Sequence, residues 1–109
     1  MGRFQSAATV TGLGLGFSQT VPATIVSWNA QIQQAGNGTD SAYLGFANAL
    51  NTVITSTAVV AANTTYNWEI EGYFQADAVG DVQIGFRSEV NGTQVAILPG
   101  SVMIVTKVA

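Results

Sequence analysis

The chain has no cysteine and no histidine, and its 109 residues carry only three basic and six acidic side chains. Without His or Cys, neither a Ser-His-Asp triad nor a thiolate nucleophile can be assembled. Zinc, iron and copper sites lose their usual ligands for the same reason. Disulfides are excluded too, so the composition carries no sign of redox compartment. Charge is equally scarce, at 8% of residues where an ordinary soluble domain has roughly 25%. Such a chain must cover its surface with neutral polar groups or with copies of itself. The cations Arg3, Arg87 and Lys107 form no basic stripe, which argues against nucleic acid and anionic membranes as partners. A net charge of −3 supplies little self-repulsion and favours association. Long apolar runs are also missing: Gln5, Ser6 and Thr9 interrupt what a secretory signal would need, and nothing approaches the roughly 18 apolar residues of a membrane span.

What is present is β-branched. Five Leu stand against thirteen Val, seven Ile and twelve Thr, side chains that fit a pleated surface better than a helix. Length supports one domain with one core. Residues 1–17 read as an N-terminal arm or first strand, and residues 18–109 as a single β-sandwich domain.

Alternation begins at residues 3–10, and a glycine-spaced segment follows, Gly12-Leu13-Gly14-Leu15-Gly16-Phe17. It lacks the charge and the following helix of a phosphate loop; a close-packed strand, or an arm lying on a neighbour, is the better reading. In residues 20–33, Val26, Trp28, Ala30 and Ile32 share one face while Ser27, Asn29, Gln31 and Gln33 share the other, the pattern of a half-buried strand. Pro22 suits its start, and Asn37-Gly38 ends it with a turn. Residues 41–51 suit a helix or a short strand equally, and residues 52–61 read as a strand. The clearest strand spans residues 65–75, with Tyr66, Trp68, Ile70, Gly72 and Phe74 opposite Asn67, Glu69, Glu71, Tyr73 and Gln75. The spacing predicts that it pairs with residues 82–90 through the turn at 76–80. Asn91-Gly92 then predicts a hairpin to residues 93–98. Residues 101–108 are apolar on both faces, as in a central strand or one covered by a neighbouring subunit. The whole predicts an all-β, antiparallel, jelly-roll-like sandwich of about seven to eight strands.

Few residues suggest chemistry. Glu69 and Glu71 leave one strand face about 7 Å apart, within the range of an inverting glycosidase pair, but two acids on one strand are better read as a solvated polar face. Asp77 and Asp81 bracket a turn, too few oxygens for calcium, and turn chemistry accounts for them. The three sequon-like triplets at Asn37, Asn63 and Asn91 fall where turns are wanted. Trp28 and Trp68 sit on apolar faces and belong in a core; Tyr73, beside Glu69 and Glu71, is the aromatic suited to exposed contact. No catalytic residue, cofactor or metal site is expected.

The residue patterns Val59-Val-Ala-Ala-Asn-Thr-Thr-Tyr-Asn-Trp68, Gly72-Tyr73-Phe74, Gly80-Asp-Val-Gln-Ile-Gly-Phe86 and Pro99-Gly-Ser-Val-Met-Ile-Val-Thr-Lys-Val108 together resemble small jelly-roll domains of the tumour-necrosis-factor and complement-head type found in tailed-bacteriophage structural proteins. The likeness covers about half the chain, residues 55–109. It implies a homotrimer with apolar strand faces around a threefold axis. In phage such domains serve as capsid decoration proteins or as fibre and spike tips. A chain beginning at its own Met with no shaft or attachment domain favours a decoration (cement) protein on the virion's capsid surface, partnered by itself and by the major capsid protein. The alternative is a receptor-binding or glycan-binding tip. Candidate interface residues are Phe4, Leu13, Leu15, Phe17, Met103 and Val105.

Overall fold

Side chains that alternate between β-branched or aromatic and small polar groups build eight strands and no helix among the described residues. The computed structural model describes residues 1–20, 23–34 and 42–107. The strands are β1 (Gly2–Ser6), β2 (Leu13–Gln19), β3 (Ala23–Gln33), β4 (Ala42–Ala47), β5 (Thr52–Thr55), β6 (Tyr66–Ala76), β7 (Val82–Ser88) and β8 (Val95–Ile97). They form a five-stranded sheet in the order β4-β3-β6-β1-β8 and a three-stranded sheet in the order β5-β2-β7. Every pairing is antiparallel, so the protein is an antiparallel β-sandwich. Three pairings nest, β1 with β8, β2 with β7 and β3 with β6, the order left by a long hairpin rolled up on itself. β4 and β5 break the nesting by standing in different sheets, where they meet across one side of the sandwich.

The core lies between the inner faces. Phe4, Trp28, Ala30, Ile32, Tyr66 and Trp68 enter it from the larger sheet, and Leu13, Leu15, Phe17 and Ile54 from the smaller one. Phe4 and Tyr66, opposite each other across β1 and β6, pack as tilted rings 5.8 Å apart. Two of the polar tips that reach inward are held by backbone: Trp28 Nε1 donates to the Ala49 carbonyl at 2.8 Å, and the Tyr66 hydroxyl accepts from Ala61 N–H at 2.8 Å, whereas Trp68 Nε1 is buried without a partner. Val59 is buried although it follows the end of β5, and its N–H donates to Thr9 O at 3.0 Å.

Several expectations are corrected by this topology. Of the two readings of residues 1–17, arm or first strand, the structure has strand: they supply β1 and most of β2, the central strand of its sheet. Phe4, Leu13, Leu15 and Phe17 therefore fill this chain's own core and are not on its surface. The glycine spacing is explained by close approach. A Cβ at Gly12 would collide with the Ser56 carbonyl, and one at Gly16 would stand 2.5 Å from Thr52 O. Residues 65–75 and 82–90 do not pair with each other, because β6 joins the larger sheet and β7 the smaller, and the turn between them crosses the sandwich. Asn91-Gly92 does turn, with Gly92 at φ 88°, but it too carries the chain between sheets, from β7 to β8. Of residues 52–61 only Thr52–Thr55 is strand, and the ambiguous stretch yields β4. Residues 101–107 form no strand and are largely exposed. Pro22 and the Asn37-Gly38 turn lie outside the described residues.

Candidate functional site

The outer face of the five-stranded sheet brings together most of the polar residues that the strands do not bury. Register places Glu69 opposite Gln31, Glu71 opposite Asn29 and Tyr73 opposite Ser27 across β6 and β3. On the far side of β3, Leu44 stands opposite Gln31 and Phe46 opposite Asn29. Two cross-strand rows thus run from an exposed apolar side chain at the β4 edge, through an amide, to a carboxylate on β6. Phe46, 75% exposed, owes its position to Gly45: the glycine faces inward opposite Ala30 and leaves room for Ile54, which turns both neighbours outward.

At the β1 end this face hollows into an open depression of about 620 Å³, lined by Met1, Arg3, Gln31, Gln33, Asn67 and Glu69 among others. Gln33 is fixed there because its Oε1 accepts the Asn67 N–H at 2.9 Å. Arg3 is held by donating to the Pro99 carbonyl at 3.0 Å. Glu69 lines the hollow and Glu71 does not, so the two carboxylates do not flank one cleft. A smaller hollow of about 330 Å³ on the three-stranded sheet lies over Gly16 and Gly85, between Val53 and Phe86.

The remaining acids are dispersed. Among the described residues no three of His, Cys, Asp and Glu come together. Asp81 serves the backbone: its N–H donates to Thr20 Oγ1 at 3.0 Å and its carbonyl accepts the Thr20 N–H at 3.1 Å, closing the end of β2 and β7. Asn63 sits at φ 55°, in the left-handed region that Asn tolerates in turns.

The second surface feature is the C-terminal segment. Val102 exchanges two backbone hydrogen bonds with Met1, at 2.9 and 3.0 Å, and beyond it residues 103–107 make no backbone hydrogen bond among the described residues. Val102, Met103, Ile104 and Val105 are consecutive, apolar and exposed, Ile104 to 85%. Of the candidate interface residues, then, Met103 and Val105 are on the surface while Phe4, Leu13, Leu15 and Phe17 are inside it. Tyr73, Glu69 and Glu71 are all exposed on the outer sheet face. Sequence reasoning placed Gln31 and Gln33 on a polar face but did not join them to Arg3 and Asn67, since that requires knowing that β1 lies beside β6. It missed Ser56 entirely, a buried serine whose Oγ accepts the Leu13 N–H at 3.0 Å; nothing in its local pattern marks it.

Comparison of the chain with protein-family models, curated proteins and solved structures finds no match.

Proposed function

We propose that the protein is a structural subunit of a virion, a capsid decoration protein that covers the outer capsid surface as a homotrimer and stabilises it, without catalytic activity. The observation that carries this reading is the run of exposed apolar residues 102–105, on a chain with too little charge to keep copies apart. Consecutive exposed apolar residues mark an interaction surface or an aggregation liability. Leu44 and Phe46 at the free β4 edge extend the same demand for cover. Buried apolar area contributes roughly 25 cal/mol/Å², and repetition over many copies would let small seams resist outward pressure on a shell. The test is the mass of the purified chain in solution together with its binding to, and copy number on, capsids. A trimer bound in hundreds of copies is expected. A chain that stays monomeric and binds no shell overturns the reading.

A glycan-binding tip is favoured by one separate observation, the amide-rich hollow of Gln31, Gln33 and Asn67 beside Glu69, with Tyr73 on the same face. Glycan binding lost on Tyr73→Ala and on Gln31→Ala, with a few copies per particle, would replace the first reading with this one.

A further inference from the structure

β6 is flanked unequally along its length. Residues 68–76 pair with β3 on one side, while β1 covers the other side only at Tyr66, Asn67 and Trp68. From 69 to 74 the second side of β6 has no strand beside it among the described residues. Such an edge presents unused backbone donors and acceptors, a template for another strand. The same molecule offers a strand with no edge: residues 103–107, β-branched at Ile104, Val105 and Thr106, are exposed and without backbone partners among the described residues.

We infer that residues 69–73 of β6 receive residues 103–107 of a second copy of this chain as an added antiparallel strand. The inference rests on the self-association in the proposed function and names its means.

The two segments have equal length, and antiparallel addition end to end sets Lys107 opposite Glu69, Val105 opposite Glu71 and Met103 opposite Tyr73 on the outer face. No cation is paired with either glutamate in the single chain among the described residues, so Lys107 brings a cation to Glu69. On the inner face Ile104 falls opposite Gly72 and Thr106 opposite Ile70, while Val102 keeps its two bonds to Met1 of its own chain. Gly72 is where the sheets come close, a Cβ there meeting Phe17 and Trp28, so Ile104 would extend the core at that point. The opposing sheet is open on this side as well. β5 meets β4, which puts β7 toward β1, and Phe86 on β7 is 56% exposed although it shares its row with buried Leu15. The added strand covers that gap. It also accounts for a segment apolar on both faces: one face meets the receiving core, and the other the surface of the assembly.

The test uses the full chain, a chain ending at Ser101, and the charge variants Lys107→Glu and Lys107→Glu/Glu69→Lys, each followed by sedimentation, circular dichroism and hydrogen exchange. The full chain is expected to associate with slowed exchange at the amides of Ile70 and Gly72, which point away from β3, and the shortened chain to be a folded monomer with fast exchange there. Lys107→Glu should weaken association by several-fold, the order expected for a partly exposed ion pair, and the double variant should restore it. Undiminished association of the shortened chain overturns this inference and leaves self-association standing, whereas a full chain monomeric at every concentration overturns both. If the shortened chain does not fold, the charge variants decide: no loss with Lys107→Glu, or a loss that Glu69→Lys leaves uncorrected, overturns the pairing.

Discussion

Phe17 and Trp28 meet edge to face across the two sheets, their ring centroids 5.5 Å apart and their planes at 88°. This is a preferred geometry for aromatic pairs and adds about 0.5–1.5 kcal/mol beyond the area buried. It joins the central strand of the small sheet to β3 at the level where Gly72 lets Phe17 close on the larger sheet.

Phe17→Ala should therefore act on the fold of the single chain. A loss of about 3–5 kcal/mol is expected, read as a lower denaturation midpoint in urea and as an altered Trp28 emission. An interface residue would instead weaken association and leave the midpoint of the monomer unchanged.

Glycines of the same sheet should differ sharply. Gly12→Ala places a methyl group against the Ser56 carbonyl, backbone that cannot swing aside, and should destabilise by about 1–3 kcal/mol. Gly85→Ala meets nothing within 4 Å and should stay within about 0.5 kcal/mol of the native chain. Paired thermal melts would show the contrast.

Two buried hydroxyls predict opposite signs. Ser56 Oγ accepts from Leu13 N–H in the interior, so Ser56→Ala should cost about 1–3 kcal/mol. Thr11 Oγ1 is buried with no partner, and Thr11→Val, which keeps the shape and removes the hydroxyl, should stabilise by about 1 kcal/mol. Urea titration of both variants checks the pair.

Gly100 holds φ at 92°, a conformation that costs an L-residue roughly 1–2 kcal/mol, and it sets the path from β8 toward the pairing of Val102 with Met1. Gly100→Ala should lower stability by about that amount and disturb the Val102 bonds, visible as faster hydrogen exchange at Val102.

The strands were legible where one face is wet and the other dry. Trp28, Ala30 and Ile32 alternate with Asn29, Gln31 and Gln33, and Tyr66 and Trp68 with Asn67 and Glu69, and each set lies on the side its pattern assigns. What alternation does not encode is the partner. The turns at 76–80 and 91–92 carry the local chemistry of hairpins, yet both cross between sheets, because a turn fixes the direction of the next strand only over a few residues and burial of Ile84 or Val95 is satisfied in either sheet. Leu13, Leu15 and Phe17 were compatible with an arm or a packed strand; close contacts of Gly12 and Gly16 with β5 and its continuation decide for the strand. The apolar run at 102–105 resembled a central strand because double-sided hydrophobicity reports that cover is needed, not which molecule gives it. The polar hollow was legible only in halves, Gln31 and Gln33 from one pattern and Glu69 from another, since Arg3 reaches them through a pairing of distant segments.

The nesting of β1 with β8 and of β2 with β7 has a kinetic consequence. The strands made first wait for those made last: Phe4 meets Tyr66 on one side but finds its other neighbour only when Ile97 has emerged, and β2 has one side open until β7 arrives. Loops this long must close before their contacts stabilise anything, which slows folding. A nascent chain consequently leaves the ribosome with Leu13, Leu15 and Phe17 still in water, the interval in which a sequence so poor in charge is most open to misassembly.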